Sequence, residues 1–448
     1  MFRITGIDTV SQKKVSLFAK FLWDGAFGLP LLPHLGRLRR VPTLLRSSLV
    51  RSLSLFVCAL PLCVAGCRRN SFPDVPDGYR EFAYVSNGGS NTVSVLDVVY
   101  LRQDRTLQVG TAPTGLAVNP VRNEVYVANS QSGSISVIDA ETNRVVAAIL
   151  VHRLPSFIAV DRTGHRAYVA NTGANSVSVL DLDRRREIVA AGAGELPGVV
   201  RISPDGRSLV VTNRGSGSVS IFEVSPYDAA AKSEPPPRLR AAFPGCPGAS
   251  DAAILPDSSK VFVACSAGHQ VMAVSLAATA VSWAAKQNSA AMTDHLLALL
   301  DAGKMPVHLA MKPDGGEIFV SNYDSDSITE ISTGTNEVGG TYPIGNKPVG
   351  GIVSKDNGRL WVANSGADSL AMYSIDDGRL TWSVRAGSGP VALAFSEDEH
   401  LLLAADAHSG DVAVVRTEST DGRPALFTIL PAGVSPNSIV VKAIEAKP

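Results

Sequence analysis

A hairpin with a polar residue closing its first strand recurs eight times between residues 84 and 416, and a chain that reuses one small unit this often has few ways to fold. Six copies place an asparagine there: Asn87 in YVSNGGSNTVSVLD, Asn129 in YVANSQSGSISVID, Asn171 in YVANTGANSVSVLD, Asn213 in VVTNRGSGSVSIFE, Asn322 in FVSNYDSDSITEIS and Asn364 in WVANSGADSLAMYS. Two further copies put Cys265 (FVACSAGHQVMAVS) and Asp406 (LAADAHSGDVAVVR) in that slot. Successive slots lie 42, 42, 42, 52, 57, 42 and 42 residues apart. A period in the forties with β-branched alternation marks the blade of a β-propeller.

Each copy carries a second half, a short apolar strand opened by Pro or its equivalent, as in PTGLAVNP, PSFIAVDR and PVALAFSED. Eight of each half predict an all-β fold, an eight-bladed propeller of four-stranded antiparallel blades, with seven blades as the alternative count. A blade cannot bury both faces alone, so the ring must close. The repeats open at a second strand (Phe82) and finish on an inner strand (Ser438 to Lys442), so one blade is expected to combine both termini and leave no loose blade edge. The slot asparagine is expected to serve turn chemistry, bonding nearby backbone and tolerating positive φ.

The recurrence of YVAN…SVSVID and P.G.AVSPDG halves in order resembles the YVTN family of β-propeller repeat proteins, over Phe82 to Lys442. The resemblance implies a secreted or cell-surface protein. Many members have seven blades, and related propellers include lactonases, haem-carrying nitrite reductases and amine dehydrogenase subunits.

The segment RSLSLFVCALPLCVAGC sets basic residues before an apolar run ending in Val64-Ala65-Gly66-Cys67, which resembles the lipobox of bacterial lipoproteins. It predicts lipidation at Cys67 and an extracytoplasmic, lipid-anchored protein in contact with the membrane; a plain signal peptide is the other reading. Residues 1–66 then form a targeting region, of which 1–40 are long and basic enough to suggest an over-extended reading frame. Residues 67–81 form a tether, 82–442 the propeller and 443–448 a tail. Residues 1–66 hold nine Lys/Arg against two acidic residues, net +7, so the remainder carries −7. That acidic remainder argues against nucleic acid as a partner.

Departures from the repeat are where function can reside. Insertions between third and outer strands, SPYDAAAKSEPPP (225–237) and AATAVSWAAKQNSAAMTD (277–294), should share one face of the ring. Once the signal is removed and Cys67 lipidated, Cys246 and Cys265 remain, and the blade hairpin brings them to one face, which predicts a disulfide. The third position of the inner strands reads Gly115, Phe157, Val199, Asp251, His308, Gly350, Ala392 and Ser438. Asp251 and His308 therefore occupy equivalent slots in adjacent blades and should meet near the channel mouth, either as an ion pair sealing two blades or as a ligand site. His152 is the candidate for a third polar group. No phosphate loop, CxxC, HExxH or CxxCH motif is present, and no two histidines have ligand spacing, so no cofactor and no metal site is expected. DSDS (324–327) reads as a strand-connecting turn. Since the inner slots are mostly small or apolar, the main expectation is a non-catalytic envelope scaffold binding a protein or small ligand. The alternative is a propeller enzyme, lactonase-like or redox, with its site at the channel mouth.

Overall fold

A computed structural model describes residues 75–225, 227, 235–277, 293–418 and 422–444. These residues form eight four-stranded antiparallel sheets, each ordered from an inner to an outer strand. Blade 1 combines Arg80–Asn87, Thr92–Asp97 and Arg102–Gln108 with Pro436–Ile444, which supplies its inner strand. In blades 2 to 8 the inner strands are Pro113–Val118, Pro155–Val160, Pro197–Ile202, Ala249–Ile254, Pro306–Met311, Pro348–Val353 and Pro390–Phe395, each followed in sequence by its three partners. Every inner strand packs against those of the blades before and after it, and Pro436–Ile444 joins blade 8 to blade 2, so the ring is closed.

Closure runs in the expected register, with Phe82 opposite Lys442, Tyr84 opposite Val440 and Ser86 opposite Ser438. The pairing extends from Arg80 to Ile444, two residues beyond the sequence-derived boundary at each end. Cys67 and the whole targeting region lie outside the described residues. The described elements other than strands are single 3-10 turns at Thr172–Ala174 and Tyr323–Ser325.

Apolar alternation on the second and third strands builds one core between each pair of neighbouring blades, eight in all. The position three before the slot fills these interfaces with Tyr84, Tyr126, Tyr168, Phe262, Phe319 and Trp361, all essentially fully buried. Each such ring contributes roughly 1.5–3 kcal/mol through burial of apolar surface. Around the channel, hydroxyls stitch blades together: Thr114 donates to the Ser156 carbonyl (3.1 Å), Ser156 to the Gly198 carbonyl (2.9 Å) and Ser250 to the Pro306 carbonyl (3.2 Å).

The slot asparagine works differently from the turn role expected of it. Asn171 and Asn322 are extended, with φ of −99° and −103°. Their amides reach across the hairpin to hydroxyls five and seven residues on: Asn171 donates to Ser176 (3.3 Å) and Ser178 (2.7 Å), and Asn322 to Ser327 (3.2 Å) and Thr329 (2.9 Å). Positive φ falls instead on the fourth residue after the slot, in all eight blades: Asn91, Gly133, Asn175, Gly217, His269, Asp326, Asp368 and Gly410. In five blades the asparagine is a cross-strand clamp; Asn364, with Ala371 seven residues on, donates instead to the Ile344 backbone carbonyl, and in every blade the turn geometry belongs to another residue.

Candidate functional site

Three charged departures from the repeat, on three consecutive inner strands, are linked in the channel wall. Asp251 of blade 5 accepts from the Arg201 guanidinium of blade 4 through Oδ1 (3.0 Å) and from His308 Nδ1 of blade 6 through Oδ2 (2.9 Å). Backbone N–H groups of Ala252 (2.8 Å) and Leu309 (3.1 Å) complete its shell. His308 Nε2 faces the Gly351 carbonyl of blade 7 at 3.0 Å. Arg201 also donates through Nε to the Ala252 carbonyl (3.0 Å) and lies over the Phe157 ring of blade 3, 4.7 Å from its centroid. One chain of contacts thus spans five blades.

Charge and burial fix the protonation states. Burial opposes ionisation of Asp251, but Arg201, His308 and the Leu309 N–H together hold its carboxyl well below the usual range. Burial likewise pulls the His308 imidazole down, and the Asp251 bond and charge, with the Gly351 carbonyl, outweigh it and raise its pKa above the ordinary value. Both ring nitrogens face acceptors, so only the imidazolium satisfies them. The folded-state pKa being raised, this stabilisation is present at low pH and lost as pH rises through it.

Arg201 lines an open cavity of about 650 Å³ bordered by the inner strands of blades 1, 2, 3, 4, 7 and 8. Its other charges, Lys355, Glu397 and Glu399, engage one another. Lys355 Nζ meets Glu397 Oε1 at 3.4 Å, and both Glu399 carboxylate oxygens accept the Lys355 backbone N–H at 3.1 and 2.9 Å.

The sequence reading brought Asp251 and His308 together and missed Arg201, the third group. Arg201 sits two positions further along its strand, where the other blades have Ala117, Ala159, Ala253, Ala310, Ile352, Ala394 and Val440. Comparing that slot as well would have exposed it. His152 is not part of this site: its Nε2 faces Glu187 Oε1 at 3.3 Å, on a connection between blades 2 and 3. Among the described residues no cluster of His, Cys, Asp and Glu is poised to hold a metal ion. In DSDS, Asp326 accepts from the Asn346 amide and the Lys347 backbone N–H.

Cys246 and Cys265 form a disulfide with Cα atoms 4.7 Å apart. Cys246 takes the position that is glycine in six blades, where the slot side chain presses on the glycine Cα: a Cβ at Gly110 would come within 2.7 Å of Asn129, and one at Gly194 within 2.6 Å of Asn213. Blade 5 thus replaces a glycine–asparagine contact with a covalent bond. His152 fills the same position in blade 3.

Comparison with known proteins adds a partial family match. Residues 139–234 and 345–440 match the profile of the family described as Lactonase, 7-bladed beta-propeller. No curated protein sequence matches the chain significantly. Among solved structures, the dihydro-heme d1 dehydrogenase NirN in complex with DHE is similar with a TM-score of 0.65 and 17% identity, covering 83% of this chain and 77% of that one. A putative 6-phosphogluconolactonase from Bacteroides fragilis aligns with a TM-score of 0.55 and 15% identity over 83% of this chain and 100% of its own. A functionally unknown protein from Desulfotomaculum acetoxidans gives 0.52 and 14% over 80% and 98%. At these identities the structural likenesses establish the propeller fold alone.

The family match overturns the expectation of a non-catalytic scaffold. That expectation rested on inner-strand slots that looked small and apolar, and it failed because one slot per strand was compared. With Arg201 included, the channel wall carries a connected charged array beside a ligand-sized cavity.

Proposed function

We propose that the protein is an enzyme of the lactonase-like hydrolase kind and that its reaction takes place in the channel cavity beside Arg201. The observation that carries this reading is the Arg201–Asp251–His308 array, three linked departures from the repeat of which Arg201 lines the channel cavity, in a chain that matches a lactonase family over two long stretches. In lactone hydrolysis water adds to the ring carbonyl, the acyl C–O bond breaks, and the ring oxygen leaves as a hydroxyl once protonated, giving a hydroxycarboxylate. A guanidinium held by two bonds and an aromatic face needs little reorganisation to stabilise the oxygen on which charge develops. Glu397 borders the same cavity, and we assign it the role of accepting a proton from the attacking water. The test is ring opening of a panel of γ- and δ-lactones, followed by proton release. Arg201→Gln should lower kcat/KM by roughly 10²-fold, and Glu397→Gln should lower kcat. Absence of turnover across the panel by the folded wild type would sink the hydrolase reading.

We further propose a YVTN-type envelope lipoprotein, anchored through Cys67. The short apolar run ending in a small-residue triplet before that cysteine and the disulfide in blade 5 support an extracytoplasmic site. Mass spectrometry of the native protein should find acylated Cys67 as the first residue; an unmodified chain beginning upstream of it overturns the anchor.

A further inference from the structure

The contact geometry of Arg201 specifies a ligand charge as well as a place. Two of its five N–H donors are used, on Asp251 and the Ala252 carbonyl, and one guanidinium face lies on Phe157. Three donors remain without a partner among the described residues, on a side chain that lines the cavity. Two adjacent N–H groups on a planar fork match the two oxygens of a carboxylate. With Arg201 and His308 positive and Asp251 negative, the array carries one net positive charge. Lys355 is paired with Glu397, and Glu399 accepts only the Lys355 backbone N–H, so this group across blades 7 and 8 carries one net negative charge and adds no second anchoring cation.

We infer that the channel site takes a monoanionic small molecule bearing a single carboxylate, bound bidentately by Arg201, with the His308 imidazolium supplying the charge that makes the array net positive. This inference rests on the channel being the working site, as proposed above, and it names the substrate class. A monoanion neutralises the array, whereas a dianionic phosphate leaves a surplus negative charge. His308 is a positioning residue here: it touches Asp251 and the Gly351 carbonyl, and Asp251 in turn fixes Arg201. The groups facing it are Asp251 from blade 5, with Arg201 behind from blade 4, and the uncharged Gly351 carbonyl from blade 7. When His308 loses a proton the array becomes neutral and one of its two hydrogen bonds fails. Carboxylate affinity must therefore fall as pH rises through the His308 titration, while Arg201 stays charged.

The test is calorimetric binding of benzoate and gluconate to the full propeller at pH 6.0 and pH 9.5, with inorganic phosphate, mostly a monoanion at the lower pH and a dianion at the higher, as the competing oxyanion. The expected result is carboxylate binding at least tenfold tighter at the lower pH and tighter than phosphate throughout. It should be abolished by Arg201→Gln and made pH-independent by His308→Gln. Thermal unfolding and circular dichroism establish that each variant is folded; should His308→Gln not fold, His308→Asn serves in its place. Tighter binding of phosphate, carboxylate binding untouched by Arg201→Gln, or a flat pH profile in the wild type overturns the inference. The hydrolase reading fails separately. Carboxylate binding as described with no lactone turnover leaves this inference standing, and turnover of uncharged lactones without carboxylate binding removes it while leaving the hydrolase.

Discussion

Asp406 stands where six other blades have asparagine, and its surroundings ask it to behave as one. Its Oδ2 accepts from the backbone N–H groups of Gly387 (3.2 Å) and Ala413 (3.0 Å), and the residue five positions on, a Ser or Thr in all six asparagine blades, is Asp411. Burial, then the charge and hydrogen bond of Asp411, push its carboxyl up to about 8, outweighing the two N–H donors. The folded state therefore holds a proton that the unfolded chain releases near pH 4. Between those values the native state binds more protons, so stability falls as pH rises from about 4 to about 8. Asp406→Asn supplies a permanent donor to Asp411 and should stabilise the protein at pH 7.5 by about 1–3 kcal/mol, flattening that limb of the stability profile. Urea unfolding at pH 5 and pH 8 measures it, and an equal loss for variant and wild type would show that another group titrates. The same slot-by-slot comparison, applied to the third position of the inner strands, exposed Asp251 and His308. What it could not convey is reach: Arg201 joins them from a slot two residues away because a long guanidinium side chain spans adjacent strands, and His152 fails to join because its connection lies away from the channel.

At the scale of the blade, strand number, order and register were legible because each strand repeats eight times and every repeat fills an equivalent interface. The turn was less legible, since the asparagine and the residue that needs positive φ are four positions apart and both tolerate that conformation. Blade 5 tests how interchangeable the parts are. Its Cys246–Cys265 bond closes 19 residues between the connection into the inner strand and the end of the second strand. Removing such a crosslink costs about 3 kcal/mol, so Cys246→Ser with Cys265→Ser should lower the melting temperature clearly. Cys246→Gly with Cys265→Asn rebuilds the contact used by five other blades. It should recover part of the loss, with Gln270 and Met272 offering the new amide no hydroxyl at the usual fifth and seventh positions. Differential scanning calorimetry of the three proteins decides it, and equal melting temperatures for both double variants would mean that the glycine–asparagine contact contributes nothing by itself.

The whole ring depends on one strand. Pro436–Ile444 is the last described stretch of the chain, pairs with Arg80–Asn87 and packs between the inner strands of blades 8 and 2. Without it blade 1 keeps three strands, Ala83 and Val85 lose Ile439 from their shared core, and Tyr84 and Phe82 lose Val440 and Ile444 from the next one. A propeller's interfaces are nearest-neighbour terms, so opening the ring converts eight interfaces in a circle into seven in a row with two free faces. A chain ending at Val434 should unfold at a much lower temperature, lose its single cooperative transition and aggregate through the exposed edge of Arg80–Asn87. A synthetic peptide of residues 435–444, added in trans, should restore binding to that edge by strand addition. Size-exclusion chromatography and thermal unfolding read both outcomes. A truncated protein that remains monomeric with an unchanged melting temperature would show that closure is dispensable. Arg201, Asp251 and His308 lie on three consecutive inner strands, and their spacing is set by how tightly the circle is drawn. The same truncation should therefore weaken carboxylate binding twice over, by removing Ile439, Val440 and Val441 from the cavity wall and by loosening the spacing of blades 4 to 6.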